Sequence, residues 1–145
     1  MIELVKKLLN ELNIEYQEEQ EVLFVSHLLN DFPYGIMIEI DESSKQINFI
    51  SKLPIIFSND VLSNGYIACN IVNKQLVEGC FYCDTSGEVW FNEGLYYGDS
   101  LITKKTLHYV LANINQVMEY IGKKMSLLSR NEITLEAYFD FIFNE

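Results

Sequence analysis

Basic residues are scarce in this chain. Its 145 residues include 10 Lys and Arg against 21 Asp and Glu, which gives a formal net charge of -11. The first 100 residues carry 16 acids and 5 bases, whereas residues 101–145 carry 5 of each. Acidic residues cluster at Glu15, Glu18, Glu19 and Glu21. A surface of this charge repels phosphate backbones and anionic lipids, so neither a nucleic acid nor a membrane is an expected partner.

Long apolar runs are also absent. No unbroken stretch could span a bilayer, and the N-terminal residues 1–13 show helical spacing with an early acid at Glu3 rather than the pattern of a secretion signal. The default expectation is therefore a cytoplasmic protein. With 49% hydrophobic and 21% charged residues, the composition is that of one folded domain spanning residues 1–145.

Cysteines are too few, and odd in number, for a disulfide framework. There are three, at positions 69, 80 and 83. Cys80 and Cys83 form a CxxC motif within a predicted strand, where residues three apart point to opposite faces. A redox CxxC normally begins a helix, and zinc needs four converging ligands. We therefore expect ordinary strand cysteines and no metal.

Signals of catalysis are equally sparse. His27 is predicted in a strand and His108 in a helix, and neither accompanies a nucleophile motif. No glycine-rich phosphate loop or dinucleotide fingerprint is present. A paired-carboxylate site stays open at this stage, but nothing marks one. The sequence thus predicts no catalytic, cofactor-binding or metal-binding residues and no cofactor.

What is present indicates an α+β fold. Apolar residues recur at helical spacing over 2–13, about 60–75 and about 134–143. A long helix with an apolar stripe up to Met125 is predicted to begin at Asp99, Ser100 or Thr103. Strands are predicted over 22–29, 34–41, 46–53, 77–84 and 88–93, and residues 14–18 could add an edge strand. The order is α-β-β-β-α-β-β-α-α, which predicts an antiparallel sheet with helices packed chiefly on one face. Pro54 is expected to end the third strand, and Asp60 or Ser63 to cap the second helix.

The last two strands form the best-defined predicted hairpin. Thr85-Ser86-Gly87 fits a three-residue loop with glycine in the left-handed position. That register sets Cys83 opposite Val89, Tyr82 opposite Trp90 and Phe81 opposite Phe91. It turns Phe81, Cys83, Val89 and Phe91 inward and pairs Tyr82 with Trp90 on the other face.

Two asparagines stand near the end of the second helix. Asparagine has a low helix propensity, so the presence of Asn70 and Asn73 within a helix needs an explanation. One reading is that one of the two side chains ties the helix end to the next strand through backbone hydrogen bonds. The other reading is an amide that binds a ligand.

These residues carry a family resemblance. Asn70-Ile71-Val72-Asn73, then Gly79-Cys80-Phe81, then Asp84, Gly87, Val89 and Phe91 resemble the YbjN family, over roughly residues 60–125. The resemblance implies the type III secretion chaperone-like fold, and it supplies no catalytic site. The small size and the low isoelectric point also resemble those chaperones.

The leading functional interpretation is a small protein-binding module, chaperone-like or regulatory and not an enzyme. It would hold an extended or helical segment of a partner on apolar patches rimmed by acids. The alternatives are an enzyme with an inconspicuous carboxylate- or Tyr-based site and an immunity-type protein that occludes its target.

The C-terminal segment predicts self-association. Leu135, Tyr138 and Ile142 can form one helical face, while Phe139, Phe143 and Phe141 extend beyond it. A helix that is apolar on most sides should be buried on most sides, and a second copy would provide the cover. A homodimer is expected, and the competing reading is that the segment fits into a groove of its own sheet.

Overall fold

The computed structural model describes residues 1–29 and 32–144, with the side chains of 27–29 left out. The chain forms an antiparallel sheet of six strands in the order β1-β2-β3-β4-β6-β5, and its helices lie chiefly on one face. The strands are β1 Gln17–Glu19, β2 Val22–Leu29, β3 Phe32–Asp41, β4 Gln46–Ile56, β5 Cys80–Cys83 and β6 Glu88–Tyr96. The helices are α1 Ile2–Glu11, α2 Leu62–Asn73, α3 Lys104–Val117, α4 Lys123–Ser129 and α5 Leu135–Asn144. The predicted fold class is confirmed, and the edge strand considered for residues 14–18 forms at Gln17–Glu19, which adds one strand to the predicted order.

Strand alternation builds the core. One side chain in two is buried along the longer strands, as period-two patterning dictates. The buried apolar set on the helix side of the sheet includes Leu23, Val25, Tyr34, Ile36, Ile38, Ile47, Phe49, Leu53, Ile55, Phe81, Val89 and Phe91. Their register partners fall on the same face, since Ile38 lies opposite both Leu23 and Phe49. The intervening side chains therefore form a second face that the helices do not cover.

Two sequence-based boundaries are wrong. Pro54 does not end the third strand, because β4 continues through it to Ile56 with a register irregularity after Lys52. An irregularity in the ladder accommodates a residue that has no N–H to donate. Neither Asp60 nor Ser63 caps α2, which instead follows a 3₁₀ turn over Asn59–Val61 and has no side-chain cap.

The long helix begins as predicted and is interrupted in its middle. Thr103 is its N-cap, and its hydroxyl oxygen accepts a hydrogen bond from the Thr106 N–H at 3.1 Å. A π-helical turn over Met118–Gly122 then joins α3 to α4. A methyl group built on Gly122 would lie 3.1 Å from the ring of Phe32, so glycine lets this turn approach the sheet closely.

The last helix packs on other helices rather than in a groove of the sheet. Tyr138 of α5 is completely buried, and its hydroxyl donates a hydrogen bond of 3.2 Å to the Ala68 carbonyl of α2. Burial raises the pKa of this hydroxyl above its ordinary value. The competing reading of the C-terminal segment is correct that the segment packs within its own chain. It is wrong about the place, because α5 packs on α2 and α4 rather than in a groove of the sheet.

Candidate protein-binding surface

The uncovered face of the sheet carries a row of apolar side chains. Phe24, Met37 and Ile50 are register neighbours across β2, β3 and β4. Phe24 is 38% exposed, and the other two are partly buried. We call the side of the sheet that bears this row the open face. Apolar groups held side by side on a rigid sheet offer a surface on which a partner's apolar side chains could be buried.

An aromatic pair continues the open face toward β5. Tyr82 and Trp90 stack across strands with ring centroids 6.2 Å apart and planes within 6°. The Lys52 ammonium lies 5.6 Å from the Trp90 ring centroid and pairs with the Glu88 carboxylate at 2.8 Å. Phe81 and Phe91 face the core with their centroids 4.9 Å apart. The hairpin register predicted from Gly87 is confirmed in every pair.

Asp84 fixes both the hairpin turn and the tryptophan. Its carboxylate accepts hydrogen bonds from the Ser86 N–H, the Ser86 hydroxyl and the Glu88 N–H, at 3.0, 2.7 and 3.0 Å. Its second oxygen accepts from the Trp90 indole N–H at 3.2 Å. The Ser86 hydrogen bond is the main cause that lowers the pKa of Asp84. The carboxylate is therefore ionised at neutral pH and holds Trp90 in one orientation.

Asn73 has the structural role that one of the two readings gave it. Its amide N–H donates to the Phe81 carbonyl, and its amide oxygen accepts from the Phe81 N–H, both at 2.8 Å. A single amide thus pairs with the outer edge of β5 as a neighbouring strand would. Asn70 is exposed on the outer side of α2 and makes no such bond among the described residues.

The cysteines are separated as expected. Cys80 lies on the exposed side of β5, and Cys83 faces Gly65 of α2. Cys69 is buried within α2, and burial raises the pKa of its thiol to about 12. In the described part of the chain, no group of three or more His, Cys, Asp or Glu side chains is placed to hold a metal.

The two histidines do not meet at a site. His108 is exposed on α3, where it lines one wall of a cavity beside β2. The side chain of His27 lies outside the described residues. Across residues 1–29 and 32–144, no helix has the length and apolar character that a bilayer crossing requires.

A buried carboxylate, which sequence reasoning missed, anchors α3 to the sheet. Glu93 of β6 is 5% exposed, and it accepts a hydrogen bond from the Asn113 amide at 3.0 Å. Burial is the main cause that raises the pKa of Glu93, and the nearby Glu78 adds to it. Two residues further along α3, the Asn115 oxygen accepts from the Tyr34 hydroxyl at 2.9 Å. Asn113 and Asn115 lie outside the apolar stripe of α3, which by itself predicts exposure, so the sequence carries no signal for these two contacts.

A second exposed apolar area lies on the helical side. It consists of exposed side chains on α5 and α2, two helices that pack against each other. Phe139 and Phe143 of α5 are 45% and 37% exposed with ring centroids 4.5 Å apart, and Tyr66 and Ile67 of α2 are exposed to a similar extent. We call these four residues the outer helix patch.

The arrangement of these helices on one face of this sheet is the type III secretion chaperone-like fold. The solved structure of YbjN from E. coli, a candidate transcription regulator, superposes with a TM-score of 0.70 at 9% identity, covering 91% of this chain and 93% of that one. The YbjN-like fold inferred from the Asn73 and hairpin residues is confirmed.

Two protein complexes contain chains that share the fold. The ExsC–ExsE complex matches with a TM-score of 0.56 at 14% identity, covering 89% of this chain and 90% of that one. The HopA1–SchA chaperone–effector complex matches at 0.54 and 11% identity, covering 82% and 90%. No protein-family model and no curated protein matches the sequence.

Proposed function

We propose that this chain is a single-domain, protein-binding module that holds an extended or helical segment of a partner in a chaperone-like or regulatory role. It acts without catalytic residues, metal or cofactor, and its site of action is the cytoplasm. The observation that carries the proposal is the open face, where apolar and aromatic side chains stay exposed on a chain with a net charge of -11. ExsC and SchA, which share this fold, each form a complex with another protein, and this supports the same class of function.

The polar groups support a binding role over an enzymatic one. The buried Glu93 carboxylate is committed to Asn113, and Asp84 is committed to its own turn and to Trp90. Hydrogen bonds to its own turn lower the pKa of Asp84, and burial raises the pKa of Glu93, so neither shift needs a catalytic role to explain it. Charge also disfavours nucleic acids and anionic membranes as partners, since phosphate contacts need basic groups.

Aggregation assays with two reduced client proteins test this function. Reduced lysozyme is basic and reduced α-lactalbumin is acidic, although their native folds are alike. We expect the chain to suppress light scattering by the first client and to leave the second unaffected, because apolar contacts act together with charge attraction. Failure to suppress lysozyme aggregation at a several-fold excess of the chain would contradict the proposal.

A matched pair of variants locates the binding surface. Phe24→Thr removes an exposed aromatic from the open face, and Tyr109→Thr removes one that is 58% exposed on α3. We expect Phe24→Thr to weaken lysozyme binding roughly tenfold, about 1.4 kcal/mol, and Tyr109→Thr to leave it unchanged. Circular dichroism checks that both variants are folded.

We also propose a homodimer formed through the outer helix patch. Tyr138 already occupies the inner side of α5, so Phe139 and Phe143 are left for a partner, and a two-fold pair would bury both copies of the patch. Light scattering of the full chain should report a dimer at tens of micromolar. The Phe139→Ser, Phe143→Ser double variant should be a folded monomer, whereas Tyr96→Ser, Tyr120→Ser, which removes two exposed aromatics elsewhere, should stay dimeric. A monomeric wild-type chain would reject this interface.

A further inference from the structure

The apolar row of the open face leads to a group of side-chain amides. Ile50, the last apolar residue of the row, lies opposite Asn92 of β6 in the sheet register. Two residues along each strand, Asn48 lies opposite Gly94, and Gln46 follows Asn48 on the same face of β4. These residues line a cavity of about 470 Å³ together with Gly79 and Cys80. We call this cavity the amide pocket.

The three amides of the pocket lack hydrogen-bond partners. Gln46, Asn48 and Asn92 are all partly buried, and none of their side chains makes a hydrogen bond to another described residue. The side-chain oxygen of Asn92 is completely buried and has no partner in the described part of the chain. Buried polar groups in folded proteins are nearly always paired, so a group of unpaired amides needs an explanation. A bound group that pairs with them would supply the missing hydrogen bonds.

Gly94 leaves room over the floor of the pocket. Glycine within a strand contributes no side chain to the packing, and it often marks a place where a ligand approaches the backbone closely. An added methyl carbon at Gly94 would overlap the Gln46 amide nitrogen and would lie 3.7 Å from the Asn48 amide oxygen. A hydrogen-bond donor and an acceptor therefore lie on either side of the space above this glycine.

We propose that the amide pocket binds the side-chain carboxamide of a glutamine or asparagine in the partner's bound segment. This inference rests on the proposed protein-binding function and names a residue that the partner must present. A carboxamide carries one acceptor oxygen and two N–H donors. Its oxygen can accept from the Gln46 amide nitrogen while its N–H donates to the Asn48 amide oxygen. The Asn92 amide can turn toward the same group and so gain the partner that it lacks.

The lining of the pocket disfavours charged ligands and nucleobases. Of the described residues that line it, Glu93 alone is charged and none is aromatic. The Glu93 carboxylate is 5% exposed and accepts a hydrogen bond from Asn113 on the helix side of the sheet. A phosphate, an ammonium group or a free amino acid would thus bring a charge that finds no partner. A nucleobase would find no ring on which to stack. A neutral carboxamide carried by an apolar segment meets both limits.

A segment bound to the apolar row would reach the amide pocket. Phe24, Met37, Ile50 and Asn92 are successive register partners across β2, β3, β4 and β6. Neighbouring strands lie about 4.8 Å apart, and one turn of an α-helix rises about 5.4 Å. A helix that crosses the strands can therefore place apolar side chains, one turn apart, on the first three of these positions and a glutamine on the fourth.

Fluorescence anisotropy with four labelled helical peptides tests the proposal on the full chain. The peptides share three leucines placed one turn apart, and they differ at the fourth position, which is glutamine, glutamate, methionine or alanine. Glutamate matches glutamine in size but is charged, and methionine matches it without strong hydrogen bonds. We expect the glutamine peptide to bind at least tenfold more tightly than each of the others, because a site built for hydrogen bonds rejects a side chain that cannot make them.

Matched variants show whether the amide pocket sets this preference. Gly94→Ala should abolish it, because the methyl group displaces the Gln46 amide, whereas Gly35→Ala, the same change elsewhere on the open face, should keep it. Asn48→Lys should reverse the preference toward the glutamate peptide, and Asn70→Lys, the same change on the exposed surface of α2, should not. Circular dichroism checks that the four variants are folded.

Equal binding of the glutamine and methionine peptides would overturn the proposal, and so would a preference that survives either Gly94→Ala or Asn48→Lys. Displacement of the glutamine peptide by maltotetraose would assign the pocket to a sugar and would overturn it as well. If none of the peptides binds while reduced lysozyme is still held in solution, the carboxamide site is wrong and the protein-binding function stands. If lysozyme is not held either, the proposed function fails with it.

Discussion

Replacing Asn73 with leucine should lower the free energy of unfolding by about 2–4 kcal/mol. The variant keeps a side chain of similar volume but removes both hydrogen bonds to Phe81, and so leaves a partly buried N–H and a carbonyl without partners. It also frees the outer edge of β5, which the Asn73 amide covers. Urea denaturation followed by far-ultraviolet circular dichroism measures the change.

Asn70 provides the matched control for this prediction. It lies three residues earlier on the same helix, is exposed and makes no hydrogen bond among the described residues. Asn70→Leu should change the free energy of unfolding by less than about 0.5 kcal/mol, the usual range for surface positions. Equal effects at the two positions would show that helix propensity, and not the link to β5, governs stability here.

Replacing Gly87 with alanine should cost about 3 kcal/mol or more and should disorder the hairpin. Gly87 has φ +86°, a left-handed conformation that side chains disfavour, and an added methyl carbon would lie 2.0 Å from the Phe57 carbonyl oxygen. The Gly87 carbonyl itself accepts a hydrogen bond from the Phe57 N–H at 2.9 Å, so the turn cannot move away without breaking that bond.

Gly35→Ala is the control for the loop glycine. Its added methyl would meet the nearest atom, the Val25 carbonyl oxygen, at an ordinary 3.5 Å, and its backbone conformation suits any residue. Thermal unfolding of both variants, followed by Trp90 fluorescence, should show a large fall in melting temperature for Gly87→Ala alone. A melting temperature for Gly87→Ala within a degree or two of the wild type would contradict the strain argument.

Local chemistry accounts for what the sequence predicts well. The hairpin register follows from one left-handed glycine and strict alternation, which is why Phe81, Phe91, Tyr82 and Trp90 all take their predicted faces. Asn70 and Asn73 were recognisable as a pair because an amide in a helix interior needs a partner, but the sequence did not say which of the two makes the link. The element order follows in the same way from the period of the apolar residues.

Features that depend on tertiary contacts could not be predicted in this way. Strand β1 pairs with β2 over three residues only, and nothing in the local sequence fixes that length. Glu93 alternates as a core residue would, yet its charge argues for the surface until Asn113 is seen to bind it. The passage of β4 through Pro54 likewise depends on an irregularity in its pairing with β6.

The central claim is that a partner protein binds on the open face of the sheet. Backbone amide exchange of the full chain, alone and with saturating reduced lysozyme, tests it most directly. The account predicts slower exchange in β2, β3 and β4, which carry the apolar row of the open face, with the Tyr109 surface of α3 unchanged. Protection confined to the helices, or no protection at a client concentration that suppresses aggregation, would contradict it.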